Sequence, residues 1–149
     1  MEKHHEISFE DVICDRLAEA GWLFAPGDAA AYDRARALFP ADVVDWVKAS
    51  QPTAWASLTK SHGAAAEAAL LDRIRKQLDE RGTLAVLRRG VEMIGLKAPV
   101  QLAQFRPAMA MNPDLVAKYD ANRLRVVRQV RYSLGNENCI DVVLFLNGL

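Results

Sequence analysis

The segment from Arg123 to Leu149 constrains the fold of this chain more than any other. Two runs rich in β-branched, aromatic and aliphatic residues, 124–132 and 139–146, flank the short polar connection Gly135–Asn138. This pattern is typical of a β-hairpin. The second run leads into Asn147-Gly148, the strongest two-residue hairpin signal. Because the chain stops one residue later, we expect a turn without its return strand, as in a fold that is cut in the middle.

Helices are predicted for most of the chain before the hairpin. The first begins at Ser8, an N-cap paired with Asp11 in a capping-box-like pattern, and ends at Gly21. Asn112-Pro113-Asp114 is typical of a helix start, with an N-cap, a proline and an acid in the first turn; this helix is expected to end near Ala121. Periodicity and turn residues predict the other helices over 28–39, 40–49 and 64–81. Between the last two, Trp55 and Leu58 mark one or two further helical turns that end near His62-Gly63.

Two short segments between the helices are less regular. Thr83–Leu87 is apolar and fits either a strand or a helical turn, and Gln101–Phe105 is interpreted as a strand. Helices first and strands last make an α+β pattern. We therefore predict one domain over residues 1–149, with a helical layer over about 1–121 and a β part over about 122–149.

The sequence argues against a membrane-spanning protein. No apolar run approaches the roughly 18 residues that a bilayer requires, and the charged start Met1–Glu6 precedes no apolar signal segment. We therefore expect a cytoplasmic protein without a membrane partner, in which Cys14 and Cys139 are free thiols. His4 and His5 could bind a metal, although a solvated chain start is the more common reason for such a pair.

Charge is unevenly distributed although the formal net charge is zero. Residues 1–50 carry ten acidic and five basic side chains, whereas residues 106–131 carry six basic and two acidic ones. Two interpretations are open. The basic region could face a polyanion, or the acidic and basic regions could neutralise each other across the fold.

Asp141 is the residue that most needs an explanation. It stands in the second strand with apolar residues on both of its predicted faces, as in a strand that is covered on two sides. A carboxylate in such a place is costly unless it is paired or holds a metal. One interpretation is therefore a structural role, either as a buried ion pair with Arg128 on the first strand or as a strand-end cap, and the other is a metal ligand. Other enzyme signatures, such as a phosphate-binding loop with lysine, CxxC, HExxH or GxSxG, do not occur.

The last segment of the chain resembles a known nuclease domain. NRLRVVRQVRYSLGNENCIDVVLFLNGL, from Asn122, is similar to the start of the nuclease domain in the restriction (R) subunit of type I restriction-modification enzymes, and the strand Ile140-Asp141 followed by VVLFLNG is its most specific part. The resemblance extends upstream, in the same order, to His5-Glu6, Phe9-Glu10, Gly21-Trp22, Gln51-Pro52, Trp55, Leu87–Gly90 and Phe105–Pro107.

The resemblance implies a PD-(D/E)xK nuclease with Mg²⁺ as its cofactor. Asp141 matches the first metal-binding acid of that family and would be catalytic, whereas the second acid and the lysine two positions after it would fall beyond Leu149. One carboxylate is too few for an octahedral Mg²⁺ site, so this chain alone should not cut DNA. In some nucleases of this fold a glutamate of the first helix assists the metal or the water. Glu10 is the candidate here, with a solvated acid at the helix N-terminus as the alternative.

The resemblance also implies partners. Arg123, Arg125 and Arg131 are candidates for contacts with DNA phosphates, which would be sequence-independent and salt-sensitive. In the family, the methyltransferase and specificity subunits complete the complex. ATP is used by the motor part of the full subunit, and we expect no ATP binding by this chain.

Two hypotheses therefore remain. In the first, the chain is the N-terminal part of a type I restriction R subunit, which contributes to Mg²⁺-dependent DNA cleavage in the full subunit. In the second, it is a non-catalytic helical interaction domain in which Asp141 is structural.

Overall fold

The chain folds into helices followed by an antiparallel β-hairpin. The computed structural model describes residues 2–149, and the side chains from residue 8 onward. The helices are α1 (Glu2–Glu19), α2 (Pro40–Ser50), α3 (Pro52–His62), α4 (Ala66–Arg81), α5 (Thr83–Arg89) and α6 (Pro113–Asp120), and the strands are β1 (Leu124–Arg131) and β2 (Cys139–Leu146). The predicted α+β class is thus confirmed. Within the described residues, no helix has both the length and the apolar character that crossing a bilayer requires.

Two of the helix predictions are wrong, one in where the helix begins and the other in the helix itself. Helix α1 already includes residues well before Ser8, which therefore is not its N-cap. The predicted helix over 28–39 is a single 3₁₀ turn, Asp28–Ala31. The reason lies in Asp33, whose carboxylate accepts the backbone N–H of Arg36 at 3.1 Å. Such a local side-chain turn competes with helix formation, and an antiparallel bridge between Asp33 and Leu38 replaces the helix.

Helices α2 to α5 enclose the main hydrophobic core. Proline occupies the first turn of both α2 and α3, where its missing N–H has no helical partner to lose. Glycines 82 and 90 flank α5, which is a helix, so that the strand alternative for Thr83–Leu87 is wrong. The fully buried side chains of this core include Val43, Val47, Leu58, Leu70, Ile74, Val86, Val91 and Val100.

The segment Gln101–Phe105 has no regular secondary structure and is not a strand. Its backbone groups bond to side chains instead of to a neighbouring strand. The Gln101 N–H donates to Gln51 Oε1 at 2.8 Å, the Gln101 carbonyl accepts from the Trp46 indole at 3.2 Å, and the Gln104 N–H donates to Asn122 Oδ1 at 3.2 Å. The predicted strand is therefore wrong because amide and indole side chains satisfy the backbone donors and acceptors that a strand would have used.

The hairpin ends in a second tight turn. Its strands pair antiparallel in the register Leu124↔Leu146 to Arg131↔Cys139. Asn147 and Gly148 have φ values of 50° and 88°, as in the type I′ turns that favour Asn-Gly. Leu149 then bonds back to Leu146 in both directions, at 3.0 Å and 2.9 Å. The sequence prediction of a turn at this position is confirmed.

The hairpin packs on the helical layer through a small aromatic cluster. Phe39 and Phe145 meet edge to face with ring centroids 4.8 Å apart, and Tyr32 packs against both. Val127 and Val130 complete this cluster. The outer edge of β1 bonds to Leu23, which donates to the Leu124 carbonyl and accepts from the Val126 N–H.

Candidate functional site

Asp141 lies near the free end of the hairpin and is exposed. Its carboxylate accepts one long hydrogen bond, from Gln129 Nε2 at 3.4 Å. The prediction that apolar layers cover both faces of β2 is wrong. Among the described residues the sheet has two strands, and the aromatic cluster covers β2 at the Phe145 end. Ile140 and Leu144 therefore stay 47% and 52% exposed.

Gln129 distorts β1 directly opposite Asp141. Its φ is +55°, which is rare for a residue other than glycine and marks local strain. The ladder pairs Arg128 with Val142 and Val130 with Ile140, and the regular pair between them is missing. The Gln129 side chain also accepts a hydrogen bond from Cys139 Sγ at 2.9 Å. Gln129 thus joins Cys139 and Asp141 on one face of the hairpin, a role that no pattern in the sequence indicates.

Arg128 does not pair with Asp141. It donates to Glu10 Oε2 from Nη2 at 2.7 Å and from Nε at 3.2 Å, and it also pairs with Asp11. The ion pair between Asp141 and Arg128, considered from the sequence, is therefore wrong. The hydrogen bond to Glu10 raises the pKa of the Arg128 guanidinium above its ordinary value, so Arg128 remains charged.

Glu10 lies inside α1 and is only 7% exposed. The alternative of a solvated acid at a helix N-terminus is therefore wrong. Its participation in catalysis stays a prediction. The contact with Arg128 fixes α1 against β1 and brings this carboxylate to the strand residue that precedes Gln129.

A cleft of about 350 Å³ opens beside these residues. Its lining consists of Asp11 of α1, Arg128 and Gln129 of β1, and the loop from Phe24 to Asp28. The cleft therefore connects the Glu10–Arg128 contact with the residue that bonds to Asp141.

The three arginines predicted to bind DNA have partners within the chain. Arg125 is the most buried, and it donates to Asp42 from Nε at 2.7 Å and to Asp28 from Nη1 at 2.7 Å. These hydrogen bonds, the one to Asp42 above all, raise the pKa of Arg125. Arg123 pairs with Asp45 at 2.9 Å, and Arg131 pairs with Glu137 at 2.5 Å.

These contacts bear on the two interpretations of the uneven charge distribution in the sequence. Asp28, Asp42, Asp45 and Glu10 belong to the acidic first part of the chain, and they bind arginines of the basic region. Neutralisation across the fold, one of the two interpretations of the charge pattern, is what the hairpin arginines Arg123, Arg125 and Arg128 do. DNA binding by Arg123, Arg125 and Arg131 stays a prediction. DNA phosphates would have to bind guanidinium groups that already form ion pairs with carboxylates of the chain.

The oxygen ligands near Asp141 do not make a metal site by themselves. Among the side chains that the structure describes, no three His, Cys, Asp or Glu residues are grouped so that they could hold a metal ion. His4 and His5 lie outside those side chains. Asp141 supplies one carboxylate, whereas Mg²⁺ prefers an octahedral set of oxygen ligands. Mg²⁺ binding at Asp141 therefore stays a prediction that requires further ligands.

Comparisons of the chain with protein-family models, with curated proteins and with solved structures found no match.

Proposed function

We propose that this chain is the N-terminal part of the R subunit of a type I restriction-modification enzyme, in which Asp141 belongs to a Mg²⁺-dependent nuclease centre. Its proposed partners are DNA and, through the full subunit, the methyltransferase and specificity subunits. ATP would serve the motor part of that subunit. The proposal rests on the resemblance of Asn122–Leu149 to this family and on the local geometry around Asp141.

One observation carries the proposal. Asp141 stands on a strand that runs into a type I′ turn at Asn147-Gly148, and the next residue, Leu149, already pairs back with Leu146. In the family that the sequence resembles, the strand after such a turn carries the second acid and the lysine. The turn directs the chain alongside β2, where a following strand would bring those groups towards Asp141.

The exposure of Asp141 supports a role in binding over a role in folding. A carboxylate with one hydrogen bond of 3.4 Å contributes little to stability. The alternative of a non-catalytic domain with a structural Asp141 would instead predict a buried or paired carboxylate.

The neighbouring residues have supporting roles in this proposal. Bound Mg²⁺ would polarise the scissile phosphate and promote formation of hydroxide. Asp141 would hold this ion through a carboxylate oxygen, and Gln129 would orient the carboxylate through its amide. Glu10, bound to Arg128, would stand on the α1 side of the same end of the hairpin.

Substitution of Asp141 in the complete subunit, assembled with its partner subunits, tests the proposal. We expect Asp141→Ala to abolish DNA cleavage, because the ion loses a ligand, and to leave ATP hydrolysis and translocation near wild type. Cleavage of a plasmid substrate and ATP turnover are measured on the same preparation. Asp120→Ala, which removes another exposed carboxylate, is the matched control and should cut normally. Persistent cleavage by Asp141→Ala would show that Asp141 is not a ligand.

A further inference from the structure

Three arginines outside the hairpin line a pocket between α4 and α5. The pocket has a volume of about 390 Å³, and Arg73, Arg81, Arg89 and Glu92 are its charged lining residues. Arg73 and Arg81 lie eight residues apart on α4, about two helical turns, and therefore on one face of that helix. Arg89 comes from the last turn of α5. The lining thus carries three positive charges and one negative charge.

These arginines differ from those of the hairpin in their partners. Throughout the part of the chain with described side chains, none of the three forms an ion pair with a carboxylate, although Glu92 lines the same pocket. Arg73 Nε donates to the backbone carbonyl of Glu92 at 3.0 Å, and Arg81 Nη2 donates to that of Gly90 at 2.7 Å. Backbone carbonyls orient a guanidinium but do not neutralise it.

One donor of the Arg81 guanidinium has no partner in the described part of the chain. Its Nε is buried and is the one buried side-chain nitrogen or oxygen without a hydrogen-bond partner among the described residues. Buried donors are almost always paired, and an exception calls for a ligand or another explanation. The cost of leaving a buried charged donor unpaired exceeds that for a neutral one.

The local backbone holds Arg81 at this place. Gly90 has a φ of +70°, and a Cβ there would lie 2.2 Å from the Val100 carbonyl oxygen. Only glycine therefore allows the Val91–Val100 bridge to form directly after α5. This close approach positions the Gly90 carbonyl that orients the Arg81 guanidinium.

We propose that this pocket binds a phosphate-type oxyanion, and that Arg73, Arg81 and Arg89 supply the positive charges that hold it. Guanidinium groups match the geometry of phosphate oxygens and bind them through charge-assisted hydrogen bonds. The ligand is either a free phosphate group or a phosphodiester of DNA, which share this chemistry. The site is independent of any metal binding by Asp141.

The experiment titrates the whole chain with inorganic phosphate while the arginine Nε–H signals are followed by NMR. We expect saturable shifts for Arg73, Arg81 and Arg89, and no such shifts with chloride at equal ionic strength. The double variant Arg73→Gln with Arg89→Gln should bind phosphate about tenfold more weakly or worse, because hydrogen bonds to charged groups are the strong ones.

The control variant carries Arg16→Gln and Arg106→Gln, which remove the same charge at two exposed positions outside the pocket. It should bind phosphate as the wild type does. Absence of saturable binding by the wild type would overturn the proposal without any variant, and so would equal affinities of the wild type and the pocket variant.

A short DNA duplex added to the phosphate-loaded chain identifies the source of the ligand. Release of phosphate, with the pocket signals still shifted, supports occupation by a phosphodiester. Retention of phosphate in the presence of DNA supports a site for a free phosphate group. Loss of DNA cleavage in Asp141→Ala would not bear on either result, so that this proposal and the proposed nuclease function can fail separately.

Discussion

At the scale of single residues, the ion pairs of Arg125 are the ones from which we expect the largest contribution to the stability of the hairpin. The Arg125 side chain is 17% exposed and that of Asp42 is 5% exposed. Removing one partner of a buried ion pair leaves an uncompensated charge. We expect Arg125→Ala to lower the free energy of unfolding by about 3 kcal/mol, because Asp42 then keeps only its longer contact with Arg123, at 3.6 Å. The measurement is urea denaturation followed by circular dichroism.

The control for this prediction is Arg131→Ala, which removes an arginine from the same strand. Arg131 and Glu137 are 56% and 67% exposed in their side chains, and exposed pairs contribute little to stability. A loss of stability as large as that of Arg125→Ala would contradict the assignment of the effect to burial of the pair.

The sequence located these arginines but not their partners. Alternation along β1 identified Arg125 as a polar position, whereas the distance from Arg125 to Asp42 spans 83 positions of the chain. Which aspartate meets which arginine depends on how α2 and the loop at Asp28 pack, and no local pattern encodes that. The same limit applies to Gln129, because its positive φ arises from the pairing of the two strands.

At the scale of secondary-structure elements, the Asn147-Gly148 turn fixes the end of β2 on the helical layer. The Gly148 carbonyl accepts the N–H of Phe39 at 2.9 Å, and Asn147 is 1% exposed. A Cβ at Gly148 would lie 2.6 Å from the Phe39 carbonyl oxygen and 2.7 Å from Val43 Cγ2. We therefore expect Gly148→Ala to open this contact, and hydrogen exchange at the Phe39 and Leu146 amides to become faster by about tenfold or more.

Gly135→Ala provides the matched control in the other turn of the hairpin. Gly135 is outside the positive-φ glycines, and a Cβ there would meet only Ser133 Oγ, at 3.9 Å. Exchange at Phe39 and Leu146 should stay unchanged in this variant. Equal acceleration in both variants would mean that the close approach at Gly148 is not the cause.

Elements with strong local signals could be predicted, and those set by distant contacts could not. Asn112 caps α6 as expected, because its side chain accepts from the Asp114 N–H at 3.0 Å, a bond within four residues. Gln101–Phe105 has the composition of a strand, but side chains from α2, Gln51 and Asn122 satisfy its backbone. Asp141 was a candidate from the sequence, whereas its hydrogen-bond partner Gln129 became apparent only from the structure.

At the scale of the whole molecule, charge is segregated by partner. The hairpin arginines Arg123, Arg125 and Arg128 pair with carboxylates from the acidic first part of the chain. The arginines of the α4–α5 pocket, in contrast, form no ion pairs among the described side chains; they are Arg73, Arg81 and Arg89. Net charge and its distribution along the sequence do not distinguish these two states. They become distinct only when the fold brings carboxylates to some arginines and not to others.

The outer edge of β2 is the other open feature of the molecule. In the described chain, β2 pairs with β1 and, beyond its end, Leu146 pairs with Leu149, so the outer edge from Ile140 to Leu144 has no neighbouring strand. An exposed apolar edge favours pairing with a second copy. We expect concentration-dependent self-association, measured by light scattering coupled to size-exclusion chromatography.

A lysine on this edge should suppress the association, because a charge on an edge strand opposes pairing with another strand. We expect Ile140→Lys to shift the chain to the monomer at concentrations where the wild type associates. Leu134→Lys is the matched control, since Leu134 is 76% exposed but lies outside β2; its association should match the wild type. A wild type that stays monomeric at high concentration would mean that the edge is protected in solution, and equal suppression by both variants would place the contact outside β2.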